Sequence, residues 1–396
     1  MKKSIIIILI ILGSIVFLGR DDTKIAVYVD EEIKEEIPLK NSGYYFDKAI
    51  CDGETEASWD SAKWSLKLTN LKEKTKCNLY FKSDKIVKKM IESLDTSGNC
   101  PSVNEEGVAS IKTIEKDNSL VCKTLDDYGT SYYYRGNVSN NYVRFAGYYW
   151  RIVRINGDGT IRLIYDGTTI HENSDTSEDR LIGTSAYNES YDDNAYVGYM
   201  YGTPGSSSYE KTHANINDST IKKYIDTWYE NNLLNTDYEK YLADSIFCSS
   251  RVFDTNNVGT GYGKIETYYY YYTDYAYYST LKCSQSNDRY TVLDSLGNQS
   301  LKYPIATINN VEAMFAGGAG EDNNGYYLYN GYTYWSMSPS KFYANVAAHV
   351  RRINATGKVS DSYDDVNQIS YVKPVINLKP GTLSQGEGTI SSPYEI

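Results

Sequence analysis

Six cysteines constrain this chain more than any other feature, because an even number of cysteines in an exported protein is typical of a disulfide framework. Fifteen pairings are possible, and we expect the sequential one, in which each bond closes a loop within one local unit. A zinc site is disfavoured, since no C-x-x-C motif occurs and the three histidines lie far apart in sequence. The predicted bonds are Cys51–Cys77, Cys100–Cys122 and Cys248–Cys283.

The N-terminus, MKKSIIIILIILGSIVFLGRDD, indicates export. Lys2 and Lys3 precede an apolar run over residues 5–19 that only Ser14 interrupts. This length matches the apolar part of a signal peptide and is short for a membrane-spanning helix. We predict an N-terminal hydrophobic helix, with residues 1–22 either cleaved as a signal peptide or retained as an anchor in the cytoplasmic membrane. In both cases the rest of the chain is extracellular, at the cell surface.

The remaining sequence divides into four segments. Residues 23–83 contain short runs rich in Val, Ile, Tyr and Phe between polar turns, which predicts a small all-β, sandwich-like module. Residues 84–124 predict a helical, disulfide-stapled connector, since DKIVKKMIESLD places apolar side chains on one helical face and Asp84 at its start. Residues 125–384 are the predicted main domain, and residues 385–396 form a C-terminal tail.

Local signals in the main domain predict both strands and helices, and thus an α+β class. Two apolar runs flank N-G-D-G at 156–159, which predicts a hairpin rather than a calcium loop. STIKKYIDTWYENNL predicts an amphipathic helix capped by Asp218 or Ser219. NVEAMFAGG predicts a short helix that begins at Asn309 or Asn310 and ends at Gly317.

Several longer stretches carry a family resemblance. They include DDYGTSYYYRGNVSNNYVRFAGYYWRIVRINGDGTIRLIYDG, MYGTPGSSSYEKTHANIND, YPIATINNVEAMFAGG, YWSMSP, YVKPVINLK and GEGTISSPYEI. The chain resembles a group of uncharacterised extracellular modules of gut Firmicutes and related Bacilli, and SGYYFDKAICDG and WSLKLTNLKEKTKCNLYF are similar to a small β module that precedes them. The family has no established activity that transfers to this chain.

A more distant resemblance concerns the fold of the main domain. W-S-x-S-P followed by V-x-P-V-I-N-L is similar to C-type-lectin-like and formylglycine-generating-enzyme-like modules, which implies a C-type-lectin-like α+β domain that presents variable loops. The sequence departs from both groups. It lacks the E-P-N or Q-P-N and W-N-D triplets of calcium-dependent lectins, and no cysteine follows Cys283 to serve as a catalytic cysteine.

Tyrosine dominates the composition, with 42 Tyr against 8 Phe and 5 Trp. The stretch TYYYYYTDYAYYST lies between the cysteines of the third predicted disulfide. Two interpretations stay open: a low-complexity strand packed on the domain, or a recognition surface, since tyrosine offers rigid contact area and its ring stacks on sugars. A second candidate patch spans YWSMSP–KFYANV, where Trp335 is assigned to the core. The predicted ligand-binding residues are Tyr268, Tyr269, Tyr270, Tyr271, Tyr272, Tyr275, Tyr277, Tyr334 and Tyr343.

Charge and motifs exclude several function classes. The net charge of −11 opposes binding to nucleic acid or anionic lipid, and no Lys/Arg-rich patch contradicts this. G-x-S-x-G, P-loop, H-E-x-x-H and G-x-G-x-x-G motifs are absent. We therefore expect no cofactor or metal, and membrane contact only through the N-terminal helix. The predicted function is non-catalytic recognition or adhesion with a glycan or surface protein as ligand; the alternatives are an extracellular polysaccharide-acting enzyme and an architectural surface-layer component.

Overall fold

The computed structural model describes residues 24–71, 74–111, 118–252, 259–269, 279–344, 346–360 and 364–396, and as backbone strands also 5–11, 14–16 and 278. Strands predominate over helices in these ranges, which supports an α+β class in its coarse sense.

Two sheets that face each other make up the N-terminal module. Its eight strands are β1 (Ile5–Ile11), β2 (Ser14–Val16), β3 (Lys24–Val29), β4 (Glu32–Lys34), β5 (Tyr44–Cys51), β6 (Glu56–Asp60), β7 (Ser65–Thr69) and β8 (Lys76–Ser83). The sheet orders are β4-β3-β8-β5 and β2-β1-β7-β6. Alternating apolar side chains from both sheets form one core, which includes Val27, Trp64, Leu66, Leu79 and Phe81.

The prediction of an N-terminal hydrophobic helix is wrong for Ile5–Ile11, which form strand β1. Ile5–Ile8 pair antiparallel with Leu66–Thr69 of β7. Isoleucine branches at Cβ and favours strands, and the outer edge of β7 offers backbone groups for pairing. Among the residues described, none of the helices has the length and apolar character that crossing a membrane requires. The other residues of the predicted 1–22 segment lie outside the described ranges.

The connector begins with the predicted helix, α1 (Lys85–Glu92). The Asp84 carboxylate caps it by accepting hydrogen bonds from the backbone N–H groups of Ile86 and Val87. Its second oxygen accepts from the N–H of Gly381, 2.9 Å away, and so ties the connector to the C-terminal segment. Two short strands follow, β9 (Ser102–Val103) and β10 (Ala109–Ser110).

The rest of the chain contains eighteen strands and three α-helices among the described residues. The strands up to the hairpin are β11 (Ser119–Asp126), β12 (Gly129–Gly136), β13 (Tyr142–Phe145), β14 (Tyr148–Ile155) and β15 (Ile161–Gly167). Next come β16 (Thr184–Ala186), β17 (Met200–Tyr201), α2 (Tyr209–Thr212), β18 (Asn217–Asp218), α3 (Thr220–Asn232), β19 (Phe247–Cys248), β20 (Thr267–Tyr268), β21 (Tyr278–Ser279), β22 (Arg289–Tyr290) and β23 (Ile305–Thr307). The last are α4 (Asn310–Ala313), β24 (Tyr334–Phe342), β25 (Ala348–Ile353), β26 (Asp364–Asp365), β27 (Ile369–Tyr371) and β28 (Pro374–Leu378).

Two sheets organise this part of the chain. The larger has the order β11-β12-β14-β15-β28-β23, with β13 on β14; the other has the order β16-β27-β24-β25-β26, with β20 on β24. The predicted hairpin is confirmed as β14 and β15, and Asp158 in its turn accepts from the N–H of Thr160. Both predicted helices are also confirmed. Ser219 caps α3, and Asn309 caps α4, while Gly317 follows with a positive φ of 136°.

The three disulfides pair as predicted: Cys51–Cys77, Cys100–Cys122 and Cys248–Cys283. They close sequence separations of 26, 22 and 35 residues. The first joins neighbouring strands β5 and β8, and the third joins β19 to the segment that follows the tyrosine run. Such bonds persist in an extracellular or other oxidising environment.

Candidate functional site

Strand β24 brings the two predicted tyrosine patches together. Strand β20, at the start of the tyrosine run, pairs with it so that Tyr268 lies opposite Lys341. On the other side, β25 pairs with β24 so that His349 lies opposite the same lysine. Tyr343 follows β24 directly. Residues distant in sequence therefore meet in one row across three neighbouring strands.

Lys341 lies at the centre of this row. Its Nζ is 3.3 Å from the centroid of the Tyr343 ring and 5.7 Å from that of the Tyr268 ring. An ammonium group over an aromatic face is attracted by the ring quadrupole, by about 0.5–2 kcal/mol per contact. Burial lowers the pKa of Lys341, and the Tyr343 hydroxyl and the Glu266 carboxylate oppose that shift. The lysine thus holds both rings in place.

Carboxylates and an imidazole complete the polar part of the row. The Tyr268 hydroxyl donates to Glu266 at 2.7 Å. His349 is buried, and its Nδ1 lies 3.3 Å from a carboxylate oxygen of Asp365. The imidazole ring also contacts the Tyr343 ring, with 5.8 Å between their centroids. The arrangement therefore places the half-buried Tyr268 and Tyr343 rings beside carboxylate acceptors, while the Lys341 and His349 side chains are buried beneath them.

Exposed apolar side chains lie on the segments next to the row. Tyr191, Ile265 and Val346 are 43%, 41% and 57% exposed. Two hydrogen bonds hold the segments of Tyr191 and Ile265 in position. The Ala348 N–H donates to the Tyr191 carbonyl, and the Asn194 amide donates to the Ile265 carbonyl, both at 2.7 Å. We call Tyr268, Lys341, Tyr343 and His349, with this rim, the tyrosine cradle.

The other predicted ligand-binding tyrosines have different positions. Tyr269 is fully buried, and its hydroxyl donates to the Asn194 side chain at 2.9 Å. Tyr334 is also fully buried, and its hydroxyl donates to the Leu328 carbonyl at 3.2 Å. Burial raises the pKa of both phenols, and neither ring is presented at the surface where a ligand was predicted to bind. Tyr270, Tyr271, Tyr272, Tyr275 and Tyr277 lie outside the described residues.

The alternation of a strand explains this difference. Successive side chains point to opposite faces, so Tyr268 is half-buried at the cradle while Tyr269 enters the core. Trp335 is core, as predicted, and its indole N–H donates to the Ser185 carbonyl at 2.9 Å. Composition flags a tyrosine-rich segment but does not tell which tyrosines face outwards.

A cleft lies between the N-terminal module and the larger of the two sheets that organise the rest of the chain. Its lining includes Tyr44, Trp64, Asp84, Tyr132 and Asp158. Several polar groups of this lining, on Asp84, Tyr132 and Asp158, are bonded within the protein. The Tyr132 hydroxyl donates to the Asn41 carbonyl at 2.8 Å, and the Asp158 carboxylate accepts from Thr160 and Ser245. The cleft is therefore a seam between the two parts rather than a preformed site.

The described part of the chain holds no cluster of side chains that could bind a metal ion. Nowhere in those ranges do three or more His, Cys, Asp or Glu side chains come together in a way that could hold an ion. The acceptors at the cradle, Glu266 and Asp365, instead contact a phenol and an imidazole.

Comparison of the chain with family models, with curated proteins and with solved structures finds no match.

Proposed function

We propose that this is an exported cell-surface protein that recognises a glycan or surface-protein ligand, without catalysis, at the tyrosine cradle. In this proposal residues 1–22 direct export of the chain, and the main domain is C-type-lectin-like and presents the cradle. The observation that supports it best is the placement of Tyr268 and Tyr343 around one lysine, next to three exposed apolar side chains.

A glycan is the favoured ligand class. Tyrosine rings bind the apolar faces of sugar rings, while the Glu266 and Asp365 carboxylates are acceptors for sugar hydroxyls. Lys341 fixes the rings before a ligand arrives, which lowers the entropic cost of binding. A protein ligand would use the same aromatic surface, since tyrosine is common at interface hot spots.

A double substitution tests the site. We expect Tyr268→Ser with Tyr343→Ser to weaken binding at least about tenfold, because both aromatic contacts are lost. The full chain is first applied to a glycan and mucin array, with and without a calcium chelator, and the strongest binder is then titrated against both proteins. Loss of signal with chelator would reveal a metal requirement.

Tyr371→Ser is the matched control. Tyr371 is half-buried and pairs with Tyr334 at the opposite end of β24 from Lys341. Its substitution is expected to leave affinity unchanged. Equal weakening by both variants would contradict the proposal, and an empty array combined with self-association of the wild type would favour an architectural role.

The His349–Asp365 contact favours one second candidate, an enzyme that acts on a cell-wall or host polysaccharide. A carboxylate beside an imidazole orients the ring for proton transfer. Asp365→Asn would then abolish product formation from a polysaccharide that the wild type degrades. Saturable binding without any product would sustain the non-catalytic proposal.

A further inference from the structure

Several lysines that are far apart in sequence lie together on the outward face of the β4-β3-β8-β5 sheet. Val27, Leu79 and Phe81 point into the module core, so the alternate residues of β3 and β8 point away from it. These outward positions include exposed lysines on three neighbouring strands, which come from separate parts of the sequence. They are Lys24 on β3, Lys48 on β5, and Lys76 and Lys82 on β8.

Two of these lysines lie directly opposite each other. Lys24 and Lys76 are register partners across the parallel pair β3–β8. Like charges in such positions destabilise a sheet. Within the described ranges Lys24, Lys48 and Lys76 form no ion pair, while Lys82 has Asp47 at 3.2 Å. The face therefore carries excess positive charge on a chain whose net charge is −11.

Aromatic and aliphatic side chains lie among the lysines. Tyr28 and Tyr80 are also register partners, and their rings stack with centroids 5.0 Å apart. The Lys48 ammonium lies 5.3 Å from the Tyr80 ring centroid. Ile33, opposite Tyr28 on β4, is 68% exposed, and Ile50 on β5 is 53% exposed. One row across all four strands thus reads Ile33, Tyr28, Tyr80, Lys48.

We propose that this face, the lysine–tyrosine face, binds a linear anionic glycan. Neighbouring strands are about 4.8 Å apart and alternate residues along a strand about 7 Å apart, so the lysines form a spread array that suits a chain of charges rather than one small anion. Between them the Tyr28 and Tyr80 hydroxyls and the Asn78 amide are partners for sugar hydroxyls. Ile33 and Ile50 offer contact to the apolar faces of sugar rings.

Charge favours this ligand over nucleic acid. The whole chain is acidic and repels a polymer of very high negative charge density at long range. A polyuronate carries one charge per sugar ring, which is a wider spacing than that of duplex DNA, together with hydroxyls that match the tyrosine and asparagine groups. The site is separate from the tyrosine cradle, so each is tested independently of the other.

The test titrates the full chain with heparin and with polygalacturonate, and uses dextran as the uncharged probe. We expect both anionic glycans to bind and dextran not to bind. Lys48→Gln with Lys76→Gln should weaken binding about tenfold at moderate salt, since each exposed charge contributes modestly. The dependence of affinity on salt should also become less steep, because fewer counterions are released.

The matched control is Lys63→Gln with Lys67→Gln. Both lysines are exposed in the same module but lie on or beside β7, in the other sheet. These substitutions remove the same charge and are expected to leave affinity within about twofold. The Tyr268→Ser/Tyr343→Ser variant should bind heparin like the wild type. Failure of the wild type to bind either anionic glycan, or equal weakening by both lysine variants, would overturn the proposal. Binding to phosphatidylglycerol vesicles without binding to the glycans would overturn it in favour of a lipid ligand.

Discussion

Asp166→Asn is expected to lower the free energy of unfolding by about 3–5 kcal/mol, because it leaves buried cations without their carboxylate. The Asp166 carboxylate accepts from Arg180 Nε at 2.9 Å and Nη2 at 2.8 Å, and from Lys373 Nζ at 3.2 Å. Arg151 Nη1 lies 3.8 Å from its other oxygen. All four side chains are at most 1% exposed. Urea unfolding followed by tryptophan fluorescence measures the loss.

Asp192→Asn is the matched control. Asp192 also pairs with a lysine, Lys264, at 2.7 Å, but its side chain is 60% exposed. An exposed pair contributes at most about 1 kcal/mol, so this variant should unfold almost like the wild type. If both variants lost the same stability, the buried cluster would not have the structural role assigned to it.

The contribution of Asp166 to the free energy of unfolding depends on pH. Burial raises the pKa of Asp166, but Arg180, Lys373 and Arg151 outweigh burial and hold this pKa below its usual range. Its contribution to stability is therefore present above the unfolded-state pKa of about 3.9 and is lost as the pH falls through the folded-state value. The difference in stability between wild type and Asp166→Asn should shrink accordingly in acid.

Removing the third disulfide is expected to have the second large effect. Cys248→Ala with Cys283→Ala opens a loop of 35 residues, and the chain-entropy model assigns such a loop about 3–4 kcal/mol. The tyrosine run lies within this loop, and β20 at the start of the run carries Tyr268 of the cradle. Ligand affinity should therefore fall together with stability, since ordering the loop then opposes binding. Thermal unfolding and a ligand titration measure the two effects.

The first disulfide supplies the comparison. Cys51→Ala with Cys77→Ala opens a loop of similar size, 26 residues, in the N-terminal module. It should destabilise that module by about 3 kcal/mol and leave affinity at the cradle unchanged. An equal loss of affinity in both variants would mean that the third disulfide does not organise the cradle in particular.

Local sequence signals predicted the local elements well. The N-G-D-G turn, the caps Asp84 and Ser219 and the sequential disulfides depend on residues near each other in the chain. Their chemistry is therefore visible without tertiary structure. Turn residues supply positive φ, and cap residues supply an acceptor for free N–H groups.

Strand pairing between distant segments determines which side chains face outwards, and the sequence does not reveal that pairing. Whether Tyr268 or Tyr269 faces outwards depends on the register of β20 on β24, since a shift of one residue would exchange their faces. Lys341 is one lysine among many until that register places it opposite Tyr268. Likewise, Lys24 and Lys76 become neighbours only through the parallel pairing of β3 and β8. A run of isoleucines has no polar pattern that distinguishes a strand from a buried helix.

Hydrogen exchange of the full chain, with and without the strongest array ligand, tests the central claim most directly. If the ligand binds at the cradle, it should slow amide exchange in residues 190–194, 262–269 and 341–349, because these segments carry the rings and the rim of the cradle. Residues 24–29 and 76–83, which carry the lysine–tyrosine face, should exchange unchanged with an uncharged ligand. Protection at the inter-module cleft around Tyr44 and Tyr132, with none at the cradle, would contradict the assignment of the recognition site to Tyr268, Lys341 and Tyr343.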